Sequence, residues 1–223
     1  CPDVSFPVPP HEHPSRKDAA SIENVPDMER WRAVNDLVIG FAGAPVHQGD
    51  QPLGSYKYEE KPIDRWDPVA ARVGDAWDLL LQKGLDVWAA YAPSDFHNHD
   101  PKGLNDPWPG EFSETWLYAP DRTAAGALRA FRAGSFFASH GHIARRVEFS
   151  VEAAGLPRPA TAGESIEVPL GAKLTCKLKI DVPKSDWEGQ SNRIDAIELI
   201  AVTKDGASVI ANRPPQPNGV AFV

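Results

Sequence analysis

An α/β region followed by a small antiparallel β-sandwich is the fold class that the sequence predicts. Up to residue 144, stretches with helical spacing alternate with short apolar runs of strand length, which is the pattern of an α/β domain. From residue 145 onward the period shortens to two and the helical spacing disappears, as in an all-β unit. Two domains, 1–144 and 145–223, are therefore expected. With 223 residues, 42% of them apolar, the chain is large enough to bury a core in each.

The elements follow in order. Residues 1–26 include Pro2, Pro7, Pro9, Pro10, Pro14 and Pro26, so an extended, irregular lead is expected. Asp27 is placed to cap a short helix from Met28 to Asn35, and Leu37–Phe41 is a brief apolar run that reads as a buried strand. Between Asp64 and Lys83, Trp66, Val69, Val73, Trp77, Leu80 and Leu81 recur at three- and four-residue spacing. That predicts one amphipathic helix, with Gly84 as its stop. Residues 86–92 read as a second buried strand, and 115–119 as a third. Asp121 is the expected cap of a helix running through Leu128, Phe131 and Arg132 to Gly134. In the second region, 147–152, 173–180 and 194–202 carry the strand patterns.

Composition narrows the function classes. The net charge of −8 disfavours nucleic acid as a partner. No stretch approaches the roughly 18 uninterrupted apolar residues of a membrane span, and no basic-then-apolar export pattern opens the chain, so a soluble protein is expected. Cys1 and Cys176 are too few for a CxxC zinc site, and Cys176 reads as a small core residue in mid-strand. There is no G-x-S-x-G elbow, Walker loop or dinucleotide fingerprint.

The histidines are clustered: His11 and His13, His97 and His99, and His140 and His142 form three H-x-H pairs, with His47 alone. Imidazole and carboxylate together suit Zn, Mn or Fe, and Asp95-Phe96-His97 supplies both donors. In an extended chain, residues two apart face the same way, and the ends of strands are where α/β folds build sites. The bland alternative is a set of solvated loop residues. Prolines around His11 and His13 argue against a strand there, leaving a loop with one ligand, His13, and an exposed His11. His47, beyond the 37–41 strand, reads either as a ligand, an acid or a substrate contact, or as a surface histidine. His140 and His142 read either as a bridge between the domains or as part of a loop lining the site. Trp66, Trp77 and Trp88 are read as packing. Trp108, in the polar loop Asn105–Phe112, is read as shaping a pocket. Glu111 is read as a carboxylate near the site or as a surface charge.

The segments Ala92-Pro93-Ser94-Asp95-Phe96-His97-Asn98, Glu111–Thr115 and Leu128–Phe137, together with His13-Pro14-Ser15-Arg16, resemble the polymerase and histidinol phosphatase (PHP) superfamily, in particular its larger metallohydrolases with an appended β domain. The likeness spans about residues 11–140. It implies a partial distorted (β/α) barrel carrying a multinuclear site of divalent transition metal ions (Zn, Mn or Fe), in which S-D-x-H supplies Asp95 and His97 and the His-Pro dipeptide supplies His13. It implies metal-activated water attacking a small-molecule ester, chiefly a phosphate ester. Arg16 and His47 are then candidates to hold the substrate anion, with His47 also a catalytic candidate and Trp108 a substrate contact. The family's first strand carries an H-x-H pair that is not found before residue 11, and Ala42 stands where a family Glu is expected. The expectation is accordingly the C-terminal part of such an enzyme, completed by a partner chain or by homo-oligomerisation. The alternative is a non-catalytic relative that serves as a binding or structural module.

Overall fold

The computed structural model describes residues 20–34, 38–43, 66, 68–91, 108–214 and 220–222. Its first helix, α1, runs Ala20–Val34 with Pro26 inside it, so it begins well before the Met28 start and takes over the last part of the expected irregular lead. Proline removes one ladder bond from a helix, but burial outweighs that cost here. Val25 packs with Ala76, Leu80 and Val87, and Met28 packs against the same group. Asp27 pairs with Arg30 on the surface.

Strands β1 (Gly40–Ala42) and β2 (Trp88–Tyr91) lie side by side in parallel, Gly40 opposite Trp88 and Ala42 opposite Tyr91. The approach is so close that a Cβ on residue 40 would sit 1.9 Å from the Trp88 carbonyl oxygen, which leaves glycine as the residue that fits. Between the strands, the single helix expected over 64–83 is broken into α2 (Pro68–Ala71) and α3 (Ala76–Gln82). Gly74 turns the chain at φ 86°, and the buried Asp75 starts α3 by accepting the Ala76 N–H at 2.7 Å. Helical periodicity carries no information about such a restart, because a capped break keeps the apolar face in phase. Gly84, at φ 76°, ends α3 as expected.

Strands β3 (Ser113–Leu117) and β4 (Phe136–His140) form an antiparallel pair around α4 (Ala124–Arg132). The cap of α4 is Thr123, whose Oγ1 accepts the Gly126 N–H at 3.0 Å. Asp121 instead accepts from Thr123 N at 3.1 Å and pairs with Arg129 at 2.7 Å, bracing the cap from one step outside. The Trp88 indole donates to the Arg132 carbonyl at 3.0 Å and covers Gly134. The start of β2 therefore lies against the turn that precedes β4. β2 and β4, which belong to separate sheets, are also in contact.

Beyond residue 145, β5 (Arg146–Ala153), β6 (Ala160–Thr161), β7 (Leu174–Asp181) and β10 (Val220–Phe222) make an antiparallel sheet in the order β10-β7-β5-β6. A hairpin of β8 (Ile197–Thr203) and β9 (Gly206–Arg213) packs Ile197, Leu199 and Ala211 against Cys176, Leu178 and Ile180 of β7. This is a mixed α/β chain with small sheets, and among the described residues no sheet closes into a barrel. No described helix is long and apolar enough to cross a membrane.

Candidate functional site

Of the residues singled out by sequence, His13, Arg16, His47, Asp95 and His97 lie outside the described residues, as do His11 and His99. In the sequence, β1 precedes His47 and β2 precedes Asp95 and His97. Ala42 ends β1 and Tyr91 ends β2 at the same sheet edge, and β4, in a separate sheet with β3, ends at His140. The two parallel strands thus present their carboxyl ends together, which is the location where open α/β sheets build binding sites.

At the end of β4, His140 is 6% exposed. Its Nδ1 lies 3.0 Å from the Ser113 hydroxyl, its ring stacks on Phe112 at 5.2 Å between centroids, and Trp66 tilts over it at 4.8 Å. Phe112 in turn receives the edge of Trp187 at 5.0 Å. Trp66 thus packs as expected, although outside any helix, and its partner is a histidine. The signal that could have paired Ser113 with His140 is cross-strand register, which no single strand pattern reveals.

The turn that follows joins the two regions. Trp187 N–H donates to Gly141 O at 3.2 Å, and Asn192 Nδ2 donates to His142 O at 3.1 Å, so the segment between β7 and β8 closes over the end of β4. His142 Nε2 lies 3.2 Å from Gly110 O and 3.5 Å from Glu114 Oε1. The other Glu114 oxygen accepts the Trp116 indole N–H at 3.0 Å. The turn bearing His140 and His142 is thereby tied to the segment between β7 and β8.

Trp108 is 51% exposed, and its backbone N–H donates to Glu111 Oε2 at 2.7 Å. Glu111 is thereby a turn-closing side chain on the surface. Cys176 is partly buried on β7, and burial pushes its thiol pKa up, consistent with an inert core position. A cleft of about 240 Å³ between α2–α3 and β8, lined by Trp77, Leu81, Ile200 and Val202, holds neither histidine nor cysteine. Among the described residues no group of three or more His, Cys, Asp or Glu is placed to hold a metal ion.

No family model, curated protein or solved structure matches the chain.

Proposed function

We propose that the protein is a metal-dependent hydrolase of the PHP type acting on phosphate esters. The observation that supports this reading is the parallel register of β1 and β2, because both strands end at one sheet edge and His47 and Asp95–His97 come soon after those ends in the sequence. Asp95 follows the end of β2 by four positions, and His47 follows the end of β1 by five. Two imidazoles and a carboxylate, from His13, Asp95 and His97, form a donor set suited to Zn, Mn or Fe. When bound, such ions lower the pKa of water and polarise the phosphoryl group. The chain's own contribution is binding and orientation. Arg16 offers a planar guanidinium to the ester's anionic oxygens, His47 serves proton transfer or anion binding, and Trp108 offers an exposed indole to the apolar part of the ester.

Elemental analysis of the protein purified without chelator tests this reading, set beside the Asp95→Ala, His97→Ala double variant and an assay on a panel of phosphate and carboxylic esters. The expected result is more than one transition-metal ion per chain and metal-dependent phosphate release, both lost in the variant. Metal content and turnover that survive the double substitution would sink it.

A further inference from the structure

We infer that the cleft between α2–α3 and β8 binds a small organic ammonium with an apolar body, its charge received by Asp78 and Glu198; this inference is independent of the hydrolase reading. It starts from the two faces of β8. Ile197 and Leu199 pack with Cys176 and Leu178 of β7. Residues two apart along a strand share a face, so Glu198, Ile200 and Val202 lie on the opposite side, where they form one wall of the cleft. A face that meets only water is expected to be polar, yet Ile200 stands there 44% exposed. Val73, Trp77 and Leu81 supply the facing wall. The Trp77 indole is fixed by donating to the Val87 carbonyl at 2.9 Å, and Gln82 Nε2 donates to Lys204 O at 2.8 Å, tying the end of α3 to the β8–β9 turn. Both walls are thereby anchored before a ligand arrives, which lowers the ordering cost of binding.

The charge of the occupant follows from the rim. Arg72, Asp78 and Glu198 border the cleft. Arg72 Nη1 pairs with Oδ2 of the buried Asp75 at 3.3 Å, so its charge is matched within the protein. Asp78 Oδ2 accepts the Gly74 N–H at 2.7 Å, and Glu198 Oε1 accepts from Asn212 Nδ2 at 3.0 Å. Both donors are neutral, and among the described residues neither carboxylate has a cationic partner. Each keeps lone pairs for a further donor. Unmatched negative charge beside apolar walls repels an anion and gives a neutral apolar molecule nothing to offer the carboxylates, whereas an ammonium on an apolar body satisfies charge and walls together. The volume is about 240 Å³, below the roughly 300–1,000 Å³ of common ligand pockets, which limits the body to one ring with a short arm.

Titration of the full-length protein with phenethylammonium, 2-phenylethanol and phenylacetate, followed by ¹⁵N–¹H amide shifts, tests this, because the three probes share one body and differ in charge. The expected order of affinity is ammonium, then alcohol, then carboxylate, with the largest shifts at Trp77 and from Glu198 to Val202. Asp78→Asn and Glu198→Gln keep an acceptor for Gly74 and for Asn212, so both variants should stay folded. Each should weaken phenethylammonium by roughly three- to tenfold and leave 2-phenylethanol unchanged. Ile200→Trp, at an exposed position, should fill the cleft and abolish the shifts with every probe while the amides of β5 and β7 keep their wild-type positions. Equal affinity for the three probes overturns the assignment, as does a preference for the ammonium that survives the Asp78→Asn, Glu198→Gln double variant. Shifts confined to residues outside the cleft, or no response to phenethylammonium, overturn it as well.

Discussion

In the region up to β4, Leu80, Val87 and Phe112 are at most 1% exposed, whereas among the described residues from β5 onward the most enclosed apolar ones, Ala160 and Ile197, keep 7% and 9%. The means of cohesion differ as well. Three- and four-residue strands are locked in the first region by the Gly40–Trp88 approach and by Trp88 lying on Gly134. The second region relies on eight-residue strands in unbroken register, β5 on β7. Their exposed face carries ion pairs, Glu152–Lys177 at 2.7 Å and Glu148–Lys179 at 3.8 Å. Dense packing therefore sits around α3 and the start of β2 and beside β3, and the sheets from β5 onward stay more open.

Substitution in the two cores should separate them most widely. Phe112→Ala removes the ring beneath His140 and should cost about 3–5 kcal/mol, read as a drop in the denaturant midpoint with the m-value kept. Ile197→Val, in the most enclosed apolar position of the hairpin, should cost about 0.5–1.5 kcal/mol. Equal losses would break the contrast. Gly40→Ala comes between them, at about 1–3 kcal/mol for overpacking, because the new methyl meets backbone rather than a side chain that can swing away. If Gly40→Ala melts like the wild type, the parallel register that supports the hydrolase reading is wrong as well.

Legibility in the sequence divided along the same line. Alternation of residue types in β5, β7 and β8 located the strands to within a few residues, and in the second half of β7 burial alternates with it. β4, with Phe-Phe-Ala-Ser-His, has no such alternation, and β9 and β10 carry weak patterns, so pairing with neighbours decides them. The expected helix over 64–83 failed at Gly74–Asp75 because capping is a local hydrogen-bond choice that an apolar period does not encode. The start of α1 failed because proline signals were outweighed by burial of Val25. At the end of β4 the histidine pair was visible as spacing. Ser113, Glu114, Trp187 and Asn192 were not, because each meets the pair only through register or a closing loop. The S-D-x-H signal was read from its residue types and lies outside the described residues.

The smallest effect sharpens the contrast from the acid side. Next to β6, Arg158 grips Glu164 through both carboxylate oxygens, at 2.8 and 2.5 Å, and Thr161 N–H donates to it at 2.8 Å. The guanidinium hydrogen bonds, followed by the backbone N–H, hold the Glu164 carboxyl at about 2 instead of its ordinary 4.5. The unfolded chain therefore binds the proton more readily than the folded one between those values. The stabilisation is fully present above pH 4.5 and is lost as pH falls through about 2. The pair is solvent-exposed, so the effect is small and screened by salt. Urea midpoints of wild type and Glu164→Gln should differ near neutrality and converge on acidification, while amides of β6 lose protection before those of β1 and β2. A constant gap across that range would show that the ion pair contributes nothing and that the sandwich rests on its strand ladder alone.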